Sequence, residues 1–173
     1  MNGRIRIAVA ALLASAVAAG AAALTSGAGA TPPEIQQAAK AAAAKFHSIE
    51  QAEQAGYTLG SPCVESPAGG MGFHYENAAL MADDAIDPLR PEVLVYAPKP
   101  NGKLELVAIE YWKRDADGSL ATAGDRPSVL GRAFEGPMPG HSPVMPVHYV
   151  LHVWFYESNA SGLFAAFNPA VDC

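Results

Sequence analysis

The sequence predicts an α+β fold, in which one N-terminal amphipathic helix packs on a mostly antiparallel sheet and one disulfide closes the domain. Three observations predict it. Only Glu34–Ala55 shows helical spacing of apolar residues. Everything after Gly56 shows short strand-like runs broken by Gly and Pro. Asn101-Gly102, a strong hairpin signal, joins two of those runs.

The chain has 173 residues. Arg4 and Arg6 precede the apolar run Ile7–Leu24, and Ala28-Gly29-Ala30 supplies small residues at the A-x-A spacing of a cleavage site. The run is mostly Ala, which favours a cleaved signal peptide over a retained membrane anchor. No cysteine follows to carry a lipid, and Arg4-Ile5-Arg6 is not a twin-arginine pair. Residues 1–30 therefore read as a signal peptide and 31–173 as a single exported domain, secreted or on the exterior of the cell envelope. Cleavage leaves 9 basic against 17 acidic residues, which changes the net charge from −6 to −8. That acidic balance argues against nucleic acid as a partner, and no stable membrane association is expected after cleavage.

Thr31–Pro33 opens the first helix with a capping residue and two prolines suited to its first turn. Ile35, Ala38, Ala42, Phe46, Ile49 and Ala52 fall on one face of the predicted helix 34–55, and Gly56 suits its C-terminal cap. Cys63 and Cys173 are the only cysteines. In an oxidising compartment they are expected to pair, fastening the C-terminus to the start of the domain body. Gly69-Gly70-Met71-Gly72 lacks the strand-before, helix-after setting of a dinucleotide loop and reads as backbone passing closely before His74. A short strand is expected at 73–76, a loop with Asp83, Asp84 and Asp87 at 77–91, and strands at 92–97 and 104–112. The acidic loop lacks the spacing of an EF-hand. Residues 127–146 are rich in Pro and Gly and read as irregular. A strand follows at 148–156, and then a tail that packs back through Leu163, Phe164 and Phe167.

Alternation of side chains along a strand then picks out polar residues on apolar rows. Leu104, Leu106, Ala108, Glu110 and Trp112 share one side of their strand, so Glu110 interrupts an apolar row. His148, Val150, His152, Trp154 and Tyr156 share one side of another, with an apolar row behind them. A buried carboxylate needs a partner. His74 and His152 are the natural ones, with His148 or His141 at the edge. Four residues along a straight strand span about 13 Å, too far for His148 and His152 to ligate one ion unless a bulge intervenes or the strand starts after His148. His74, Glu110 and His152 are the candidate metal ligands, and His141 and His148 are further candidate ligand-binding residues. Two imidazoles and a carboxylate leave a fourth position open, as in zinc or copper chemistry. The Met and His residues of Met138-Pro-Gly-His141-Ser-Pro-Val-Met145-Pro-Val-His148 also suit copper. His47 has no ligand partner one helical turn away and reads as a surface histidine.

No nucleophile elbow, H-E-x-x-H or phosphate-loop motif occurs, so no catalytic residue is assigned. The strings Gly-Met-Gly-Phe-His-Tyr (70–75), Asp-Pro-Leu-Arg-Pro-Glu (87–92), Gly-Pro-Met-Pro-Gly-His (136–141), Met-Pro-Val-His-Tyr (145–149), Leu-His-Val-Trp (151–154) and Phe-Asn-Pro-Ala-Val-Asp-Cys (167–173) occur together. In these the chain resembles an uncharacterised family of small exported bacterial proteins. The resemblance implies one exported domain and no particular activity. The expected function is a small binding domain with a His-lined pocket for a metal ion, copper or zinc, or a small polar ligand. The alternatives are a structural module with only core histidines, or a metal-dependent enzyme using the same pocket.

Overall fold

A computed structural model describes residues 30–173, so the expected signal peptide lies outside the described residues. Helix α1 (Pro32–Ala43) tightens into a 3₁₀ turn (Ala44–His47), and α2 (Ile49–Gln54) follows. The predicted continuous helix 34–55 is thus broken. Ser48 takes an extended conformation, and its Oγ accepts the Gln51 N–H to cap α2 afresh. At the start of α1, the Thr31 N–H donates to the Glu34 carboxylate over 2.7 Å. The buried face also differs from the expected one by a residue. Ala39 and Ala43 are buried with Phe46 and Ala52, and Ala38 faces solvent.

Six strands form one antiparallel sheet in the order β1-β2-β3-β4-β8-β7. They are β1 (Thr58–Ser66), β2 (Gly69–Glu76), β3 (Val93–Pro98), β4 (Leu104–Arg114), β7 (Glu135–Met138) and β8 (His148–Val153). Strands β5 (Ser128–Val129) and β6 (Arg132–Ala133) form a separate hairpin inside the segment expected to be irregular. A short helix, α3 (Ala78–Asp83), lies where a loop was expected, capped by the Asn77 side chain on the N–H groups of Ala79 and Leu80. The expected hairpin of 92–97 with 104–112 is present as β3 and β4.

One face of the sheet carries the main core. Leu94, Tyr96, Leu106, Ile109, Tyr111, Tyr149, Leu151 and Val153 pack there against Ala39, Ala43, Phe46 and Ala52 of the helical segment. The opposite face splits into two smaller clusters, one with Val95, Ala97, Val107, Ala108, Trp154 and Val171, the other with Val93, Trp112 and Val150. A bulge decides which residues go where. Val95 pairs with Ala108 but Tyr96 pairs with Leu106, so Val107 is extra. Leu104 and Leu106 therefore join the helical face, and the predicted five-residue row is reduced to Ala108, Glu110 and Trp112.

The C-terminal tail crosses β2 through its glycines. The Gly70 N–H donates to the carbonyls of Asn168 and Val171, and Asn168 donates back to Gly70. A Cβ on Gly69 would stand 2.3 Å from the Asn168 carbonyl oxygen, which no side chain allows. Asn168 and Val171 are the buried anchors of the tail, whereas Leu163, expected to pack inward, is exposed. Cys63 in β1 is disulfide-bonded to Cys173, with Cα atoms 5.6 Å apart.

Candidate metal centre

Three polar side chains meet on the second face of the sheet. Glu110 and His152 are direct partners across β4 and β8. His74 lies two strands away from Glu110, opposite Val95 of β3. It reaches Glu110 diagonally, because the intervening side chains on that face of β3 are small valines. The Glu110 carboxylate oxygen Oε2 is 3.3 Å from His74 Nε2 and 3.4 Å from His152 Nε2. The three ligand atoms all lie within 4.8 Å of one another. Two atoms that each bind a tetrahedral ion at about 2.0–2.1 Å stand roughly 3.3–3.4 Å apart, so both carboxylate–imidazole edges already have metal-site length.

The three side chains are largely buried: His74 is 9% exposed, Glu110 5% and His152 3%. His74 is oriented from outside the cluster. Its Nδ1 is 3.1 Å from Ser61 Oγ, whose own hydrogen goes to the Pro62 carbonyl. Ser61 therefore accepts from Nδ1–H, which leaves the lone pair of Nε2 directed at Glu110. His152 has no such support: among the described residues neither of its ring nitrogens has a hydrogen-bond partner, although both are buried. A buried imidazole with two unmet nitrogens beside a carboxylate is expensive for a core and natural for a ligand set.

Burial also decides the charges. It lowers the pKa of His152 to about 3 and of His74 to about 4, in both cases helped by a neighbouring histidine. It raises Glu110 to about 8, reinforced by Glu76, Glu92 and Glu135. Glu92, whose Oε2 accepts the Trp112 N–H over 3.1 Å, is likewise raised to about 8 by burial. The metal-free cluster is thus neutral near pH 7. These shifts fix a stability profile. The histidines favour folding above about pH 6.5, and that contribution is lost as the pH falls toward 3–4, since the unfolded chain then takes up the protons. The two carboxyl groups favour folding below about pH 4.5 and lose their contribution as the pH rises toward 8. Between pH 4.5 and 6.5 the trends oppose each other, His74 and His152 with His148, also lowered by burial, against Glu110 and Glu92 with Glu76, also raised by burial. Metal-free protein is expected to be most stable there, with each unbalanced proton worth about 1.4 kcal/mol per pH unit outside that window. Urea midpoints from pH 3 to 9 check this; a maximum at pH 8 would contradict it.

The triad opens on a cavity of about 740 Å³, whose walls include His141, His148, Trp112, Val150, Met138 and Glu135. His148 stands clear of the triad, as its spacing from His152 on an unbroken stretch of β8 requires. It stacks on Trp112, and the His141 ring lies against it at 5.3 Å. His47 is exposed and packs on Tyr156 instead. Ser61 and Glu92 belong to this neighbourhood and were not singled out from sequence. A serine in a polar edge strand carries no periodic signal, and Glu92 stands at the start of its strand, where no apolar row frames it.

No family model, curated protein or solved structure matches the chain. The chemistry of the site is therefore read from its geometry alone.

Proposed function

We propose that this is an exported metal-binding protein whose His74, Glu110 and His152 side chains hold one transition-metal ion, zinc or copper, with a fourth coordination position facing the cavity. The observation that carries this is the meeting of two buried imidazole nitrogens on one buried carboxylate oxygen at tetrahedral-edge distances, all three atoms within 4.8 Å of one another. Export is supported by the signal-like N-terminal sequence and by the disulfide. Among the described residues no helix is long and apolar enough to cross a membrane. The cavity favours a second reading. At about 740 Å³ it exceeds what an ion needs and falls in the range of small-ligand sites, so the ion could hold an organic ligand or activate a water there.

Calorimetric titration of metal-free protein with zinc(II) and copper(II) tests the proposal. One equivalent should bind, and His152→Gln and His74→Gln should each weaken uptake by at least about tenfold, on the scale of losing one ligand. Unchanged uptake in both variants would make the histidines structural and overturn the proposal.

A further inference from the structure

A second group of metal-seeking side chains lies in the same cavity, beside the triad. The chain has five methionines and five histidines, and four of each line this one cavity. The methionines come from separate places: Met71 from β2, Met81 from α3, Met138 from β7 and Met145 from the loop before β8.

Met138, His141 and His148 form the tightest part of the group. Met138 and His148 are register partners across β7 and β8, which places their Cβ atoms about 5 Å apart on one face. The His141 and His148 ring centroids are 5.3 Å apart, with the rings nearly perpendicular at 85°. The loop folds back to bring Met145 to the same mouth. Its N–H donates to the Ser142 carbonyl, and the Gly140 backbone lies so close that a Cβ there would be 1.9 Å from the Met145 carbonyl oxygen. His148 is already set for ligation. Its Nδ1 lies 2.9 Å from the Pro146 carbonyl oxygen, which can only accept, so Nδ1 carries the proton and Nε2 keeps its lone pair. Trp112 stacks on the His148 ring with an interplanar angle of 24° and holds its plane.

We propose that Met138, His141 and His148, with Met145 as a fourth donor, form a second site, selective for copper(I). Every donor in it is neutral. A monovalent ion costs less to bury among neutral donors than a divalent one, and thioether sulfur prefers copper(I) to zinc(II). His148 lies about 13 Å along β8 from His152, so an ion held on His148 is not the triad's ion.

Anaerobic competition for copper(I) against a chromophoric copper(I) chelator tests this on the exported chain. Wild type should withdraw copper(I) from the chelator. Met138→Leu/Met145→Leu keeps the apolar bulk but removes both sulfurs, and should lose at least tenfold in copper(I) affinity with zinc(II) uptake unchanged. X-ray absorption should show sulfur bound to copper in wild type and only nitrogen or oxygen in the double variant. Should that variant fail to fold, His141→Gln, on an exposed loop, should still lower copper(I) affinity. Copper(I) affinity that survives the substitutions, or a wild-type spectrum without sulfur, would overturn the site. The triad is tested separately, because Glu110→Gln should remove zinc(II) uptake and leave copper(I) binding intact.

Discussion

Glu110→Gln is expected to cost the protein its zinc(II) or copper(II) affinity while leaving the metal-free fold intact. Glu110 is the only anion among the three triad ligands, and its Oε2 is the atom that both imidazoles approach. Removing one charge from a buried opposite-charge contact costs about 3 kcal/mol or more, roughly a hundredfold or more in Kd. Without an ion the balance is different. Burial already favours the protonated acid at neutral pH, and glutamine has nearly its shape and hydrogen-bonding capacity. Metal-free Glu110→Gln should therefore unfold at a urea midpoint equal to or above that of wild type, with the largest gain above pH 8. Calorimetric titration and urea denaturation of the same sample check both halves. Wild-type metal affinity in the variant would remove Glu110 from the ligand set. A metal-free variant destabilised by several kcal/mol would make it a structural anion.

Replacing both cysteines, Cys63→Ser with Cys173→Ser, should produce the largest loss of stability. The bridge spans a sequence separation of 110 residues. In the chain-entropy account a loop of that length contributes about 4–5 kcal/mol, an upper figure because residual denatured-state structure reduces it. The bridge adds to an edge pairing and to the tail's own hydrogen bonds. Strand β1 is at the sheet edge, and its pairing with β2 shifts register three times. Cys173 ends a tail whose anchors are Asn168 and Val171. Urea denaturation of oxidised wild type beside the double variant should show a loss of at least about 2 kcal/mol, the low end for native disulfides. A loss below about 0.5 kcal/mol would show the bridge to be incidental.

How far such features could be read from sequence depended on whether neighbouring residues framed them. Glu110 stood out because apolar residues flank it at alternate positions. His152 did so because it sits amid a strand apolar on both sides, and His74 because glycines precede it. Those three side chains do converge. The disulfide followed from a count of two. The bulge at Val107 was not legible, since nothing in an apolar run marks the extra residue, and it moved Leu104 and Leu106 to the other face. Strand β1 was missed because an edge strand with solvent on much of its length has no apolar alternation. The break at Ser48 was hidden because the alanines around it carry helical propensity on both sides. The convergence of the methionines depends on packing between distant elements, which no local pattern encodes.

Ser61 and Cys63 stand two residues apart on the same edge strand, so the group that aims His74 is held down by the covalent link next to it. This gives the protein a chronology. If the triad holds an ion as proposed, a chain with free thiols, lacking the bridge beside Ser61, is expected to hold it less tightly. Tighter loading is then expected once the Cys63–Cys173 bridge has formed.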